Sequence, residues 1–411
     1  MKNQQNLCLA LALAALCACS SEAPEEEDPE PTPTYTTFQE DVNFLREYTE
    51  VMVLEEPNGT GRVAVAPALQ GRVMTSSANG DTGRSYGWIN RRLFESGDTL
   101  EHMNAFGGEE RFWLGPEGGQ YSIFFREGDP FDFEHWQTPR VIDLDVYDTV
   151  GQTSQKASFQ KQTSLTNYSG FTFDLEIDRS VEVLPTAAIF QTLGLPPNDS
   201  LQSVGYRTTN IITNTGKEDW KKETGLLSIW LLGMFNPSDA TTVIVPFETG
   251  DPETLGATVN DTYFGKVPAE RLQVGEGVLF FTADGQYRSK IGLNPSRAKD
   301  ILGAYDAQNQ ILTIVRYDKP AGVSDYVNSL WELQDEPYAG DAVNSYNDGP
   351  PEPGADPMGP FYELETSSPA LALPGGESGS HTQYTFHFEG DAAILDRIAR
   401  ELLGVSLDMV P

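Results

Sequence analysis

Apolar and polar residues alternate along most of the chain in short runs bounded by turn residues, the period of strands that cover one face. Such runs fall at 51–56 (VMVLEE), 62–69 (RVAVAPAL), 72–78 (RVMTSSA), 121–125 (YSIFF), 157–167, 171–184, 205–216, 241–248, 277–283, 310–317, 361–366 and 382–389. The runs at 157–167 and 171–184 flank Tyr168-Ser169-Gly170 and predict a hairpin. A very apolar stretch containing Trp230, Leu231 and Leu232 predicts a buried strand. Helical spacing is confined to four places: 38–48, with Phe38, Val42, Phe44, Leu45 and Tyr48 on one face, then 187–193, 295–302 and the amphipathic 392–404. No internal repeat of roughly 20–50 residues is present. Nor is there an alternation of strand and helix. The pattern predicts a mainly β chain, a large antiparallel β-sandwich with a few short helices. The Pro-rich segment 347–360 is flanked by strand signals and reads as a surface excursion, so 38–411 is expected to be one domain.

The N-terminus follows a different logic. Lys2 precedes an apolar run, Leu7 to Ala18, which is too short to span a bilayer and has the length of a signal-peptide core. The run ends in Leu16-Cys17-Ala18-Cys19 with Ser20 and Ser21 behind it, which resembles a bacterial lipobox. Cys19 is the expected lipidation site, because Ala18 rather than Leu16 would precede the cut. This divides the chain into a signal peptide (1–18), a tether (19–37) and the β domain (38–411). Residues 20–37 hold six acids and four prolines, a stiff and charged spacer. The expected location is the bacterial cell envelope, lipid-anchored to the outer membrane, either periplasmic or surface-exposed. The membrane partner is reached through the lipid on Cys19.

Composition narrows the chemistry. The 61 acids against 27 Lys and Arg give a formal charge of −34, which argues against nucleic acid as a partner. All three cysteines (Cys8, Cys17, Cys19) lie in the N-terminal segment, so the β domain has neither disulfide nor thiol chemistry. Four histidines leave no His-rich metal site, and no cofactor motif is present. A calcium site built of carboxylates and carbonyls stays open in so acidic a chain.

Several segments carry candidate chemistry. In 104–125, NAFGGEERFWLGPEGGQYSIFF, Trp113 can stack on a sugar face while Glu109, Glu110 and Arg111 bind hydroxyls; a tight turn with an Arg–Glu pair fits equally. His135 beside Trp136, and His102 in LEHMNAF, are candidate general acids, though each is more often a packed or exposed loop residue. In a strand, Glu363 and Glu365 share one face and Tyr362 and Leu364 the other. Two like charges on one face raise one pKa, a useful condition for a proton carrier. In 382–389, Tyr384, Phe386 and Phe388 face one way and Gln383, Thr385 and His387 the other, with His381 in line, which reads as a solvated outer face. Trp331, Tyr338, Asn344, Asn347 and Asp348 suit carbohydrate contacts or a loop pinned by its own amides.

Five phrases carry a resemblance: QGRVMTSSANGDTGRSYGWIN (70–90), FGGEERFWLGPEGGQ (106–120), ETGLLSIWLLGMFNPS (223–238), DGQYRSKIGL (284–293) and GPFYELETSSPALAL (359–373). With them, 38–405 resembles a family of bacterial lipoproteins of unassigned function within the galactose-mutarotase-like superfamily. The resemblance implies a large β-sandwich and an aldose 1-epimerase type of isomerase with no cofactor. In mutarotases a late Glu takes the proton of the anomeric hydroxyl and a His protonates the ring oxygen. By motif position Leu364-Glu365-Thr366 carries that Glu. The mutarotase His-Gly-Gly is matched by Phe106-Gly107-Gly108, without the His, so His135, His102 or Arg111 would have to replace it. The implied cleft is lined by Glu365, Arg111, Glu109, Trp113 and His135, with Glu363, His102, Trp331 and Asn347 as further sugar contacts. A non-catalytic glycan-binding lipoprotein and a structural surface protein are the alternatives.

Overall fold

The computed structural model describes residues 35–411. The signal peptide, Cys19 and nearly all of the tether lie outside the described residues.

Every strand pairing is antiparallel, in three sheets. The largest has ten strands in the spatial order Leu272–Val274, Val278–Thr282, Thr241–Pro246, Ile301–Asp306, Ile311–Tyr317, Ser378–Glu389, Gln202–Asn214, Thr172–Val183, Lys156–Thr166 and Asp148–Gln152. A five-stranded sheet runs Ser289–Leu293, Val343–Asn347, Tyr362–Ser367, Ser228–Phe235, Arg111–Gly115. The third joins Met52–Glu55, Arg62–Ala66 and Arg72–Ser77. This is the mainly β sandwich that the alternation predicts.

Strand periodicity places the core. Val243, Val245, Leu279, Phe281, Leu302 and Val315 of the ten-stranded sheet meet Ile291, Leu293, Val343, Tyr362 and Leu364 of the five-stranded sheet. The neighbouring positions Ile244, Phe280, Leu312, Ile314, Phe386 and Phe388 point the other way. There they pack under the helices Thr186–Leu193 and Ala392–Leu402 through Ile189, Phe190, Leu395, Ile398 and Ala399. The first helix, Phe38–Tyr48, opens on a capping box of Thr37 and Glu40 and rests Leu45 on Ala66 and Met74.

Between the sheets lies a polar layer that the pattern did not announce. Gln383, Thr385 and His387, expected on a solvated face, are buried with His381. Arg179 is fully buried and donates to Gly71 O (3.1 Å), Glu110 Oε1 (2.9 Å) and Asn210 Oδ1. Gln383 donates to Glu110 Oε2 (2.9 Å) and accepts from Thr366 (2.7 Å), whose hydroxyl also meets His381 Nε2 (2.8 Å). The buried charges of Arg179 and Glu110 are thereby paired across the sheets, which offsets their burial, while Arg179 Nη2, His381 Nδ1 and Thr385 Oγ1 have no partner. Both faces of Ser378–Glu389 are covered because this strand is central and helices shield its far side.

Three local expectations change. Residues 295–302 are a turn followed by strand Ile301–Asp306, not a helix. Asn294 caps the backbone of Ser296 and Arg297, and buried Arg297 is held by the carbonyls of Glu248, Gly250 and Gly256. The run 121–125 is irregular, not a strand. Its Ile123, Phe124 and Phe125 plug the core from a loop, because an apolar run has the same composition in either setting. Part of 331–349 is a strand, Val343–Asn347.

Removing one partner of a buried ion pair strands the other charge, at a cost of about 3–5 kcal/mol, whereas half-exposed pairs are worth about 1 kcal/mol or less. Arg179→Ala is therefore expected to lower stability in urea titrations by at least about 3 kcal/mol. Arg207→Ala, which breaks the half-exposed pair with Glu182, should change it by about 1 kcal/mol or less. Equal losses would contradict this assignment.

Candidate functional site

The five-stranded sheet has two unlike faces. Leu364, Phe112, Leu231 and Ile291 point into the sandwich. The register puts Glu365 opposite Leu232 and Asn344, Leu232 opposite Arg111, and Asn344 opposite Gly292. One row along lie Glu363, Met234, Tyr346 and Lys290, and on the other side Trp230 opposite Trp113. Cross-strand partners share a face, so Arg111, Trp113, Trp230, Lys290, Asn344, Glu363 and Glu365 gather on the face turned away from the ten-stranded sheet. Their strands are far apart in sequence, and only the register brings them together.

The local chain explains the alternation. Gly107 and Gly108 adopt φ of 93° and 113°, which side chains rarely tolerate, and turn the chain into strand Arg111–Gly115. Glu110 then points inward to Arg179, so Arg111 must point outward. On the opposite edge strand Gly292 clears space: a Cβ there would lie 2.1 Å from Asp341 Oδ2.

Glu365 has 0% exposure. Its Oε2 accepts from Lys290 Nζ (2.9 Å) and Trp230 Nε1 (2.9 Å), while Oε1 has no protein partner. Lys290 keeps 13% of its side chain exposed, and its ammonium lies 4.9 Å from the Trp230 ring centre and 5.5 Å from that of Tyr263. Arg111 pairs with Glu363 and sits 5.1 Å from the Trp113 ring centre. Trp113 and Trp230 meet edge to face at 5.6 Å. Tyr263 donates to Asp341 and accepts from Asn344 Nδ2 (3.1 Å). Trp331 stacks on Trp136 at 5.8 Å beside Glu117. Buried Arg111 Nε, Trp113 Nε1 and Trp136 Nε1 have no hydrogen-bond partner, although the Trp136 indole lies near enough to Glu117 to favour its charge. One acceptor and three donors in one cluster are thus left open, and buried polar atoms without partners are costly unless a ligand or water supplies them.

Burial pushes Glu117 up to about 7; the Lys290 charge and the Trp331 and Trp136 indoles oppose it, and Glu365 adds to it. Burial likewise pushes Glu363 up to about 7, against the pull of Arg111. Burial disfavours the Lys290 charge, but Glu365, Glu117 and Glu363 outweigh it, so its pKa lies above the ordinary lysine value. The site therefore holds a buried carboxyl bonded to a lysine, flanked by two other carboxyls near their titration point at neutral pH.

Of the residues anticipated from sequence, Arg111, Trp113, Asn344, Glu363 and Glu365 share this face, and Trp331 stacks on Trp136 beside it. The others lie elsewhere. Glu109 points between the sheets, accepting from Ser76 Oγ (2.9 Å) and meeting His387 Nε2 at 3.2 Å. Asn347 is buried on the inner face and holds the turn at Gly285 and Tyr287. His135, 36% exposed, pairs with Asp132. His102 meets the Trp136 carbonyl at 2.7 Å and packs on Phe133. His381 is buried between the sheets and pushed down to about 3. Lys290, Trp230, Tyr263, Asp341 and Glu117 were not anticipated as site residues. The one usable signal was Lys290 within the DGQYRSKIGL phrase, two residues before Gly292.

A family model matches residues 36–411. The chain belongs to the family of unknown function DUF6786. No protein of curated function matches it. Among solved structures, this DUF6786 member is similar to an Escherichia coli K12 protein provisionally assigned as an aldose 1-epimerase, at 12% identity and TM-score 0.48, covering 84% of this chain and 100% of that one. It is also similar to a galactose mutarotase-like protein from Lactobacillus casei ATCC 334, at 13% identity and TM-score 0.46, covering 83% and 99%. A third is the galactose mutarotase related enzyme from Lactobacillus acidophilus, at 9% identity and TM-score 0.45, covering 83% and 98%.

A carboxyl that titrates near 7 in the fold and near 4.5 when unfolded binds more protons in the fold, so its contribution to stability falls as pH rises through that window. Glu117→Gln is expected to gain on the wild type in urea midpoint as pH goes from about 5 to about 8. Parallel pH profiles would show that Glu117 is ionised throughout.

Proposed function

We propose that this protein is a cell-envelope lipoprotein whose β-sandwich binds a carbohydrate on the outer face of the five-stranded sheet, with Glu365 as the base of an aldose-epimerase type of reaction. The observation that carries this reading is the cluster of unpartnered buried atoms, Glu365 Oε1, Arg111 Nε, Trp113 Nε1 and Trp136 Nε1, beside four tryptophans. Hydroxyl groups both donate and accept, and ring C–H faces pack on indoles, so a saccharide complements such a set. Glu365 is the group suited to remove a proton: its Oε2 is bonded to Lys290, and Oε1 has free lone pairs.

The complete burial of Glu365 favours a second reading, glycan binding without turnover, in which the Lys290–Glu365 pair is structural. The lipid on Cys19 and an outer-membrane location, periplasmic or surface-exposed, belong to the same proposal and follow from the N-terminal sequence.

Exchange NMR on a panel of reducing aldoses separates the readings. Turnover predicts that the wild type accelerates anomer exchange and that Glu365→Gln lowers the acceleration by about 10²-fold or more. Binding without turnover predicts line broadening of the sugar with no acceleration in either protein. For the anchor, Cys19→Ser is expected to abolish incorporation of a palmitate analogue and to shift the protein from the detergent phase to the aqueous phase. Unchanged incorporation would move the lipid elsewhere.

A further inference from the structure

Proton transfer to a hemiacetal needs two groups: one that takes the proton of the anomeric hydroxyl and one that gives a proton to the ring oxygen. Both oxygens sit on one carbon, so the two groups must be neighbours. None of the four histidines is such a neighbour. His381 and His387 lie between the sheets, His135 is paired with Asp132 at the surface, and His102 is bonded to the Trp136 carbonyl. The group in contact with Glu365 is Lys290, at 2.9 Å.

We infer that Lys290 is the proton donor of this site and works as a unit with Glu365. The inference rests on Glu365 being the base. Three features of the structure support it. Lys290 keeps 13% of its side chain exposed while Glu365 keeps none, so the lysine is the member of the bonded pair in contact with solvent. It is bracketed by the Trp230 and Tyr263 rings at 4.9 and 5.5 Å, which favour a cation but accept no proton from it. And Glu365 Oε1 is free while Oε2 holds the lysine, so the carboxylate can receive a proton on one oxygen without first losing its partner on the other.

The two transfers then drive each other. In the resting site Lys290 is held protonated by Glu365, with Glu117 and Glu363 behind it. When Glu365 Oε1 takes the anomeric proton, its charge is cancelled. Lys290 is left in a largely buried setting with less negative charge beside it, and burial alone disfavours an ammonium. It becomes the stronger acid at the moment the ring oxygen needs a proton. The C1–O5 bond breaks, O1 becomes the aldehyde oxygen, O5 takes the lysine proton, and neutral amine and neutral carboxylic acid remain. Rotation about C1–C2 followed by the reverse transfers closes the other anomer and restores the ion pair, with no redox change and no added reactant.

Arginine keeps the charge but does not release its proton, so Lys290→Arg separates donation from charge balance. The experiment measures anomer exchange by NMR and sugar binding by calorimetry on the full chain. Lys290→Arg is expected to fold and to bind within about threefold of the wild type, while exchange falls by about 10²-fold or more. Lys290→Ala is the second variant, and methylammonium added at high concentration should restore part of its exchange but none of that lost in Glu365→Gln. If Lys290→Arg exchanges sugar within about threefold of the wild type while Glu365→Gln is inactive, or if methylammonium rescues nothing, the donor is another group and the Glu365 reading survives alone. If the wild type accelerates no aldose, both fall together.

Discussion

Arg179 sets the architecture. It is a fully buried guanidinium, and it is tolerable only because groups from three sheets converge on it. Gly71 O comes from the turn before Arg72–Ser77, Glu110 from the entry to Arg111–Gly115, and Asn210 from the neighbouring strand of its own sheet. Gln383, Thr366 and His381 extend the network across the sandwich. A hydrophobic layer alone would let the sheets slide. A hydrogen-bonded charge fixes their register, because a shift of one residue would leave it unsatisfied.

That constraint reaches the outer face through strand alternation. Glu110 is committed to Arg179, so Arg111 emerges on the opposite side. Thr366 is committed to Gln383 and His381, so Glu365 emerges there too. The site is in this sense the reverse side of the inter-sheet network. Its own electrostatics differ: the inner layer pairs Glu110 with Arg179 and leaves Arg179 Nη2, His381 Nδ1 and Thr385 Oγ1 open, whereas the outer cluster adds an open carboxylate oxygen beside open indole and guanidinium donors, and two carboxyls raised to about 7. Unsatisfied groups of this kind are expected where a ligand completes the hydrogen bonding.

Much of the fold was legible. The period of two located most strands within a residue or two, the hairpin at Tyr168–Gly170 formed, and the C-terminal amphipathic helix lies on the sheet as its pattern required. Misreadings have a common origin. At 121–125 and 295–302 the apolar spacing was real, but the backbone was decided by partners outside the segment: the N–H groups of Tyr168 and Gln137, which donate to Ser122 O and Phe124 O, and the carbonyls that hold Arg297. In Ser378–Glu389 the polar face looked solvent-directed, since nothing in its own sequence tells that Glu110 and Thr366 lie across from it.

The candidate site divides in the same way. The sequence by itself determined that Glu363 and Glu365 share a strand face, with Tyr362 and Leu364 on the other. Spacing within one segment fixes such relations, because side chains alternate locally. Only the tertiary structure decided that Lys290 reaches Glu365, that Glu109 turns inward while Arg111 turns outward, and that Asn347 and the histidines serve elsewhere. These depend on which strands are neighbours and in what register, and register is set by hydrogen bonds between segments far apart along the chain, above all those that satisfy one buried arginine.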